Sequence, residues 1–70
     1  MAPVTVNSSV LAQVQFLEDS NILEVVFHND RAYRYFMVPR RVYEELIEAD
    51  SIGRYFSLNV KDCYSCERLK

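Results

Sequence analysis

The side chains able to do chemistry here are few and scattered. Cys63 and Cys66 stand at Cys-x-x-Cys spacing, which suits half of a zinc site or a redox pair. A structural zinc needs four ligands, and one chain offers only these two thiols and the single histidine, His28, so such a site would have to be shared between two subunits. A thioredoxin-type pair opens a helix behind a strand, whereas this pair follows an expected helix. The two thiols are therefore read as incidental, with no metal and no cofactor. His28, beside Asn29 at a turn, reads as a solvated or backbone-bonded residue rather than a catalyst. With one histidine, no glycine-rich phosphate loop, no nucleophile motif and carboxylates spread along a helix face, the sequence points away from an enzyme.

Residues suited to binding are more promising. Tyr33 and Tyr35 flank Arg34, and their meaning depends on the register of the hairpin before them. A two-residue loop, Asn29-Asp30, pairs Val26 with Tyr33 and turns both rings away from Leu23, Val25 and Phe27, free to stack on bases. A three-residue loop, His28-Asn29-Asp30, pairs Val25 with Tyr33 and Leu23 with Tyr35 and makes the tyrosines core. The second is favoured because it gathers the apolar residues on one face. A cationic set, Arg34, Arg40, Arg41, Arg54 and Lys61 with Arg68 and Lys70, offers sites for an anion. Arg40 and Arg41 fall in the first turn of an expected helix, where the macrodipole disfavours positive charge. Each faces a glutamate four residues on, Glu44 and Glu45, so ordinary surface pairing is the favoured reading and an anion-binding edge the alternative.

The elements that must position these residues follow from periodicity. Val10, Ala12, Val14 and Phe16 alternate with Gln13 and Gln15, which predicts a strand over 9–17. Leu23, Val25 and Phe27 share one face of a second strand, and Ala32 to Val38 forms a third, giving an antiparallel meander. Pro39 opens a helix in which Val42, Leu46 and Ala49 recur at helical spacing. Ser51 caps a second helix from about Ile52 to Lys61, and Gly53 in its first turn implies close packing between the two helices. The predicted fold is α+β: a three-stranded antiparallel meander followed by two helices packed on one face. The expected core comprises Val10, Val14, Phe16, Leu23, Val25, Phe27, Val42, Leu46, Tyr55, Phe56 and Val60. Residues 1–8 form a loose lead-in, 9–64 the domain and 65–70 a tail. The outer sheet face, with Leu11, Leu17, Val26 and Phe36, is expected to be apolar enough to be covered by a partner.

Size and charge bound the rest. Seventy residues make one domain that buries only about 60% of its unfolded surface, so its stability is slender and a homodimer is a natural way to strengthen it. Half the residues are apolar and 26% charged, the balance of a globular protein. A formal charge of -2 supplies no general attraction for nucleic acid, so any such binding needs a local patch. No signal-like start and no membrane-spanning run is evident, which makes a cytoplasmic location and no membrane partner the expectation.

Taken in order, Leu23-Glu24-Val25-Val26-Phe27, Tyr33-Arg34-Tyr35, Val38-Pro39, Val42-Tyr43, Leu46, Ala49, Ser51, Gly53 and Tyr55-Phe56 resemble the KTSC domain over about residues 8–64. That family is named for the lysyl-tRNA synthetase C-terminus and also occurs as small bacterial and phage proteins. Where the family often has glycine, this chain has Asp30. The resemblance implies RNA or nucleotide binding, through Tyr33, Arg34 and Tyr35 with Arg40, Arg41, Arg54 and Lys61. The acidic balance supports a different expectation, a protein-interaction module that binds and modulates a host factor through Leu11, Val26 and Phe36.

Overall fold

A computed structural model describes residues 2–70. In chain order the elements are β1 (Val4–Thr5), β2 (Leu11–Leu17), β3 (Ile22–Phe27), β4 (Ala32–Tyr35), α1 (Arg40–Glu48), α2 (Ile52–Asn59) and β5 (Cys66–Arg68). The strands form one antiparallel sheet in sequence order, β1-β2-β3-β4-β5. The α+β class and the two helices agree with the expectation, but the sheet has five strands where the periodicity predicts three. Val4 pairs with Val14, and Val6 sits in the core, so the expected lead-in carries an edge strand. At the other edge Tyr35 pairs with Cys66, and the Leu69 amide donates to the Ala32 carbonyl at 2.8 Å, so the expected tail is a strand as well. Neither has a readable alternation. Two residues are too short to show a period, and Cys66-Glu67-Arg68 is polar throughout, as exposed sheet edges commonly are.

The β3–β4 hairpin adopts the three-residue loop. Val25 lies opposite Tyr33 and Leu23 opposite Tyr35, while Asp30 takes a left-handed φ of 67° and its amide donates to the Phe27 carbonyl at 3.0 Å. A short polar side chain tolerates that conformation better than most, which is why Asp can stand here in place of Gly. Both tyrosines therefore share the face of Leu23 and Val25.

A β-bulge corrects the first strand. Leu11 is opposite Phe27 but Gln13 is opposite Val26, so β2 spends one more residue than β3 at this point. The extra residue reverses the parity upstream of it. Leu11, expected on the outer face, is completely buried, and Val10, expected in the core, is 43% exposed. Alternation alone cannot reveal a bulge, because the residues on both sides of it still alternate.

The helices cover the inner face. Pro39 is the residue before α1 and Ser51 caps α2, its hydroxyl accepting from the Arg54 amide at 3.4 Å. Val42, Tyr43 and Leu46 from α1, and Phe56 from α2 with Val60 just beyond it, meet Leu11, Val14, Phe16, Leu23, Val25 and Tyr35 in one cluster. Tyr43 stacks on Phe16 with ring centroids 5.4 Å apart. Each large side chain so enclosed stabilises the fold by about 1.5–3 kcal/mol. Gly53 is close-packed, but not against the other helix. A Cβ there would meet the Val10 Cγ2 at 3.0 Å, so the glycine lets α2 approach the segment that leads into β2.

Candidate functional site

Arg31, Tyr33 and Tyr35 are two residues apart, so the pleat of β4 and the residue before it aims all three to the helix side of the sheet. On this side of the sheet β5 adds a strand beyond β4. A cleft of ≈ 420 Å³ opens there, and its lining includes those three residues with Phe27, Phe56, Lys61, Asp62 and Cys66. Its wall is a run of edge-to-face rings. Tyr33 meets Phe27, Phe27 meets Phe56 and Phe56 meets Tyr35, each with centroids 5.6 Å apart and planes 78–83° from one another. That geometry matches positive ring edges to negative faces and adds roughly 0.5–1.5 kcal/mol per pair.

Tyr35 is only 4% exposed. Burial, and after it electrostatic repulsion from Cys66, Tyr33 and Asp62, pushes its phenol up to about 12, so it stays neutral at physiological pH. Around the mouth, Arg31, Lys61 and Asp62 are exposed and belong to no ion pair among the described residues. The arrangement combines aromatic surface with unspent charge of both signs. It can hold a flat ring and orient polar groups at the ring's ends.

The other expected residues are elsewhere. Arg34 points to the opposite face of the sheet, where its Nε and Nη2 donate to Glu24 Oε2 at 2.9 and 2.7 Å. Arg40 pairs with Glu44 at 3.3 Å, as its spacing predicts, and with Glu18 at 3.6 Å. The expected Arg41–Glu45 pair is replaced, because Glu45 Oε1 accepts from the Tyr55 hydroxyl at 2.6 Å. Burial first, and that hydrogen bond second, raise the Tyr55 phenol to about 12, with Arg41 opposing. Arg54 lines a separate polar hollow of ≈ 530 Å³ with Ser8, Ser51 and Ser57. The fold thus unites Tyr33, Tyr35 and Lys61 and separates them from Arg34, Arg40, Arg41 and Arg54.

Arg31 and Asp62 escape the sequence reading. Arg31 was legible, since alternation places it on the face of the tyrosines; Asp62 was not, since it follows α2 and reaches β4 only through tertiary packing.

The outer face is more polar than expected. Gln15, Glu24, Arg34 and Glu67 form one row across β2 to β5, so the apolar residues do not run together. Leu11 is absent from this face because of the bulge, and Val26 and Phe36 are each partly buried. Cys63 and Cys66 are free, exposed thiols, and Cys63 Sγ donates to the Leu58 carbonyl at 3.8 Å. Among the described residues, no three of His, Cys, Asp and Glu are grouped to hold a metal, and no helix is long and apolar enough to cross a membrane. His28 Nε2 lies 2.7 Å from the Ser8 carbonyl, tying the hairpin loop to the segment before β2.

Two proteins are similar to this chain. The chain is 42% identical over 57 residues, 81% of its own length and 80% of the relative's, to an uncharacterised protein of Stutzerimonas stutzeri (strain A1501). A crystal structure of a KTSC domain protein from Yersinia pestis superposes with a TM-score of 0.94 at 28% identity, covering 99% of this chain and 97% of the other. Neither relative is named as a synthetase. The model of the KTSC domain matches residues 7–64, which contain the bulge, both helices and every aromatic residue of the cleft, and the chain belongs to the KTSC domain family.

Proposed function

We propose that this chain is a small non-catalytic binding module whose cleft, between α2 and the β4 and β5 edge, takes an RNA base or a free nucleotide. One observation carries the reading: the four rings of Phe27, Tyr33, Tyr35 and Phe56 line a hollow together with unpaired Arg31 and Lys61. Aromatic contact with a base is worth about 1–3 kcal/mol and does not depend on base identity, while the cations favour a phosphate beside it. The volume, ≈ 420 Å³, falls in the range of small-ligand sites, about 300–1,000 Å³. Arg34, Arg40, Arg41 and Arg54 do not belong to this site.

The test is an NMR titration of the labelled protein at low salt with adenosine monophosphate and with a short single-stranded RNA. The expected shifts cluster at Arg31, Tyr33, Lys61 and Asp62 and shrink as salt is added. No shift with either probe, or shifts confined to Gln15, Glu24 and Arg34 on the outer face, rejects the reading.

A second reading, protein interaction, draws on Met37. This side chain is 83% exposed and follows Phe36 at the end of β4. Its simplest partner is a second copy of the chain, and a homodimer in sedimentation that Met37→Ser disperses supports it; a wild-type monomer at high concentration removes it.

A further inference from the structure

The cleft is not uniform along its length. Arg31 to Tyr35 spans about 13 Å of extended chain, with Tyr33 between them. Arg31 stands at the hairpin end, beside Asn29, which lines the same cleft. The other end is marked by Cys66, which lies opposite Tyr35 in β5, and Asp62 lines the same cleft on the segment that leads from α2 into that strand. One end therefore offers a guanidinium, the other a carboxylate, and the rings lie between. We propose that the ligand is a nucleoside monophosphate whose base carries an exocyclic amino group, with Arg31 donating to the phosphate and Asp62 accepting from the amine. This rests on the nucleotide reading above and narrows it.

The chemistry follows from the donor and acceptor inventory. An ionised Asp62 is acceptor-only, so it attracts N–H groups and repels phosphate. Adenine, cytosine and guanine each present an amino group on the base edge, and carboxylate acceptance from such a group is an established mode of base reading. Uracil presents one N–H between two carbonyl oxygens, and both oxygens would face the carboxylate unfavourably. Ring stacking on the aromatic wall is indifferent to this difference, so the discrimination belongs to Asp62.

The same charges argue for a monomer rather than a strand. A chain threading the cleft would place a phosphate beside Asp62, where like charges repel. Of the other cations, Arg34 is held by Glu24 on the other face, Arg40 by Glu18 and Glu44, Arg54 lies in a separate hollow, and Arg68, opposite Tyr33 in β5, donates through Nε to the Lys70 carbonyl. Arg31 is left to hold one phosphate group. Lys61, entering from the α2 side, supplies the second positive charge without fixing direction, because an ammonium on a flexible stem is a point charge and a guanidinium is a fork.

Calorimetric or NMR titration of the full chain with the monophosphates of adenosine, cytidine, guanosine and uridine, and with adenosine itself, tests the proposal. The expected result is about tenfold weaker binding of uridine monophosphate than of the other three, and about tenfold weaker binding of adenosine than of its monophosphate. Asp62→Ala is expected to reduce the base preference to less than about twofold, and Arg31→Ala to bring adenosine and its monophosphate together, at the same level. Both residues are exposed, so neither variant threatens folding. Equal binding of all four nucleotides, or a preference that survives Asp62→Ala, overturns the proposal while leaving the cleft reading intact. A short single-stranded RNA that binds more tightly per nucleotide than the monomers also overturns it. Failure of every nucleotide and of the RNA to bind removes the parent reading.

Discussion

Arg34 and Glu24 face one another across β4 and β3, with both guanidinium contacts made to the same carboxylate oxygen, at 2.9 and 2.7 Å. The pair lies on the outer side of the sheet, while Tyr33 and Tyr35, its sequence neighbours, turn inward. A motif that is continuous in sequence is thus divided by the pleat into an outer ion pair and an aromatic pair that lines the cleft. Arg34→Ala is expected to lower stability by ~1 kcal/mol and to leave affinity for nucleotides unchanged. Denaturant unfolding and ligand titration of the same sample check both halves.

The bulge in β2 makes opposite demands on adjacent residues. Leu11→Ala removes a completely buried side chain at a cost of about 2–5 kcal/mol, a large part of the total stability of so small a domain. Val10→Ala, at a 43% exposed position, is expected to cost less than about 1 kcal/mol. Urea midpoints of the two variants compare directly. A larger loss at Val10 than at Leu11 contradicts the bulge.

Stability is expected to fall in alkali. Tyr35 and Tyr55 have phenols raised from 10.0 to about 12, Tyr35 mainly by burial and Tyr55 by burial and by its bond to Glu45. Below pH 10 both are protonated in folded and unfolded chains alike, and their contribution is fully present. Between pH 10 and 12 the unfolded chain loses protons that the folded one retains, so stability drops as pH rises through that window. For buried Tyr35 the loss is on the order of 2 kcal/mol. Tyr35→Phe is expected to flatten the fall, and unfolding curves across the window measure it.

Met37 has a left-handed φ of 57° and is 83% exposed, so its side chain bears the backbone strain without compensating burial. Met37→Gly is expected to stabilise the fold by about 0.5–1 kcal/mol, or to raise Tm by roughly 3–6 °C. Calorimetry decides it. If Met37 also serves a homodimer, the same variant disperses the dimer while its monomer becomes more stable.

Short-range patterns carried much of this protein in its sequence. Leu23, Val25 and Phe27 declare a strand by alternation, Val42 and Leu46 a helix by period, and Ser51 a cap by its hydroxyl. Even the hairpin register was legible, because only the three-residue loop placed Tyr33 and Tyr35 with the apolar residues. These signals are local, since backbone geometry repeats over two or 3.6 residues whatever lies nearby. Tertiary structure decided the rest. The bulge that exchanges Val10 and Leu11 exists because β2 must satisfy β3 across its length, the edge strands exist because a neighbour offers open hydrogen bonds, and Asp62 shares a cleft with Tyr35 because α2 returns the chain to the sheet. Such outcomes depend on residues far apart in sequence, and no local period encodes the distance between them.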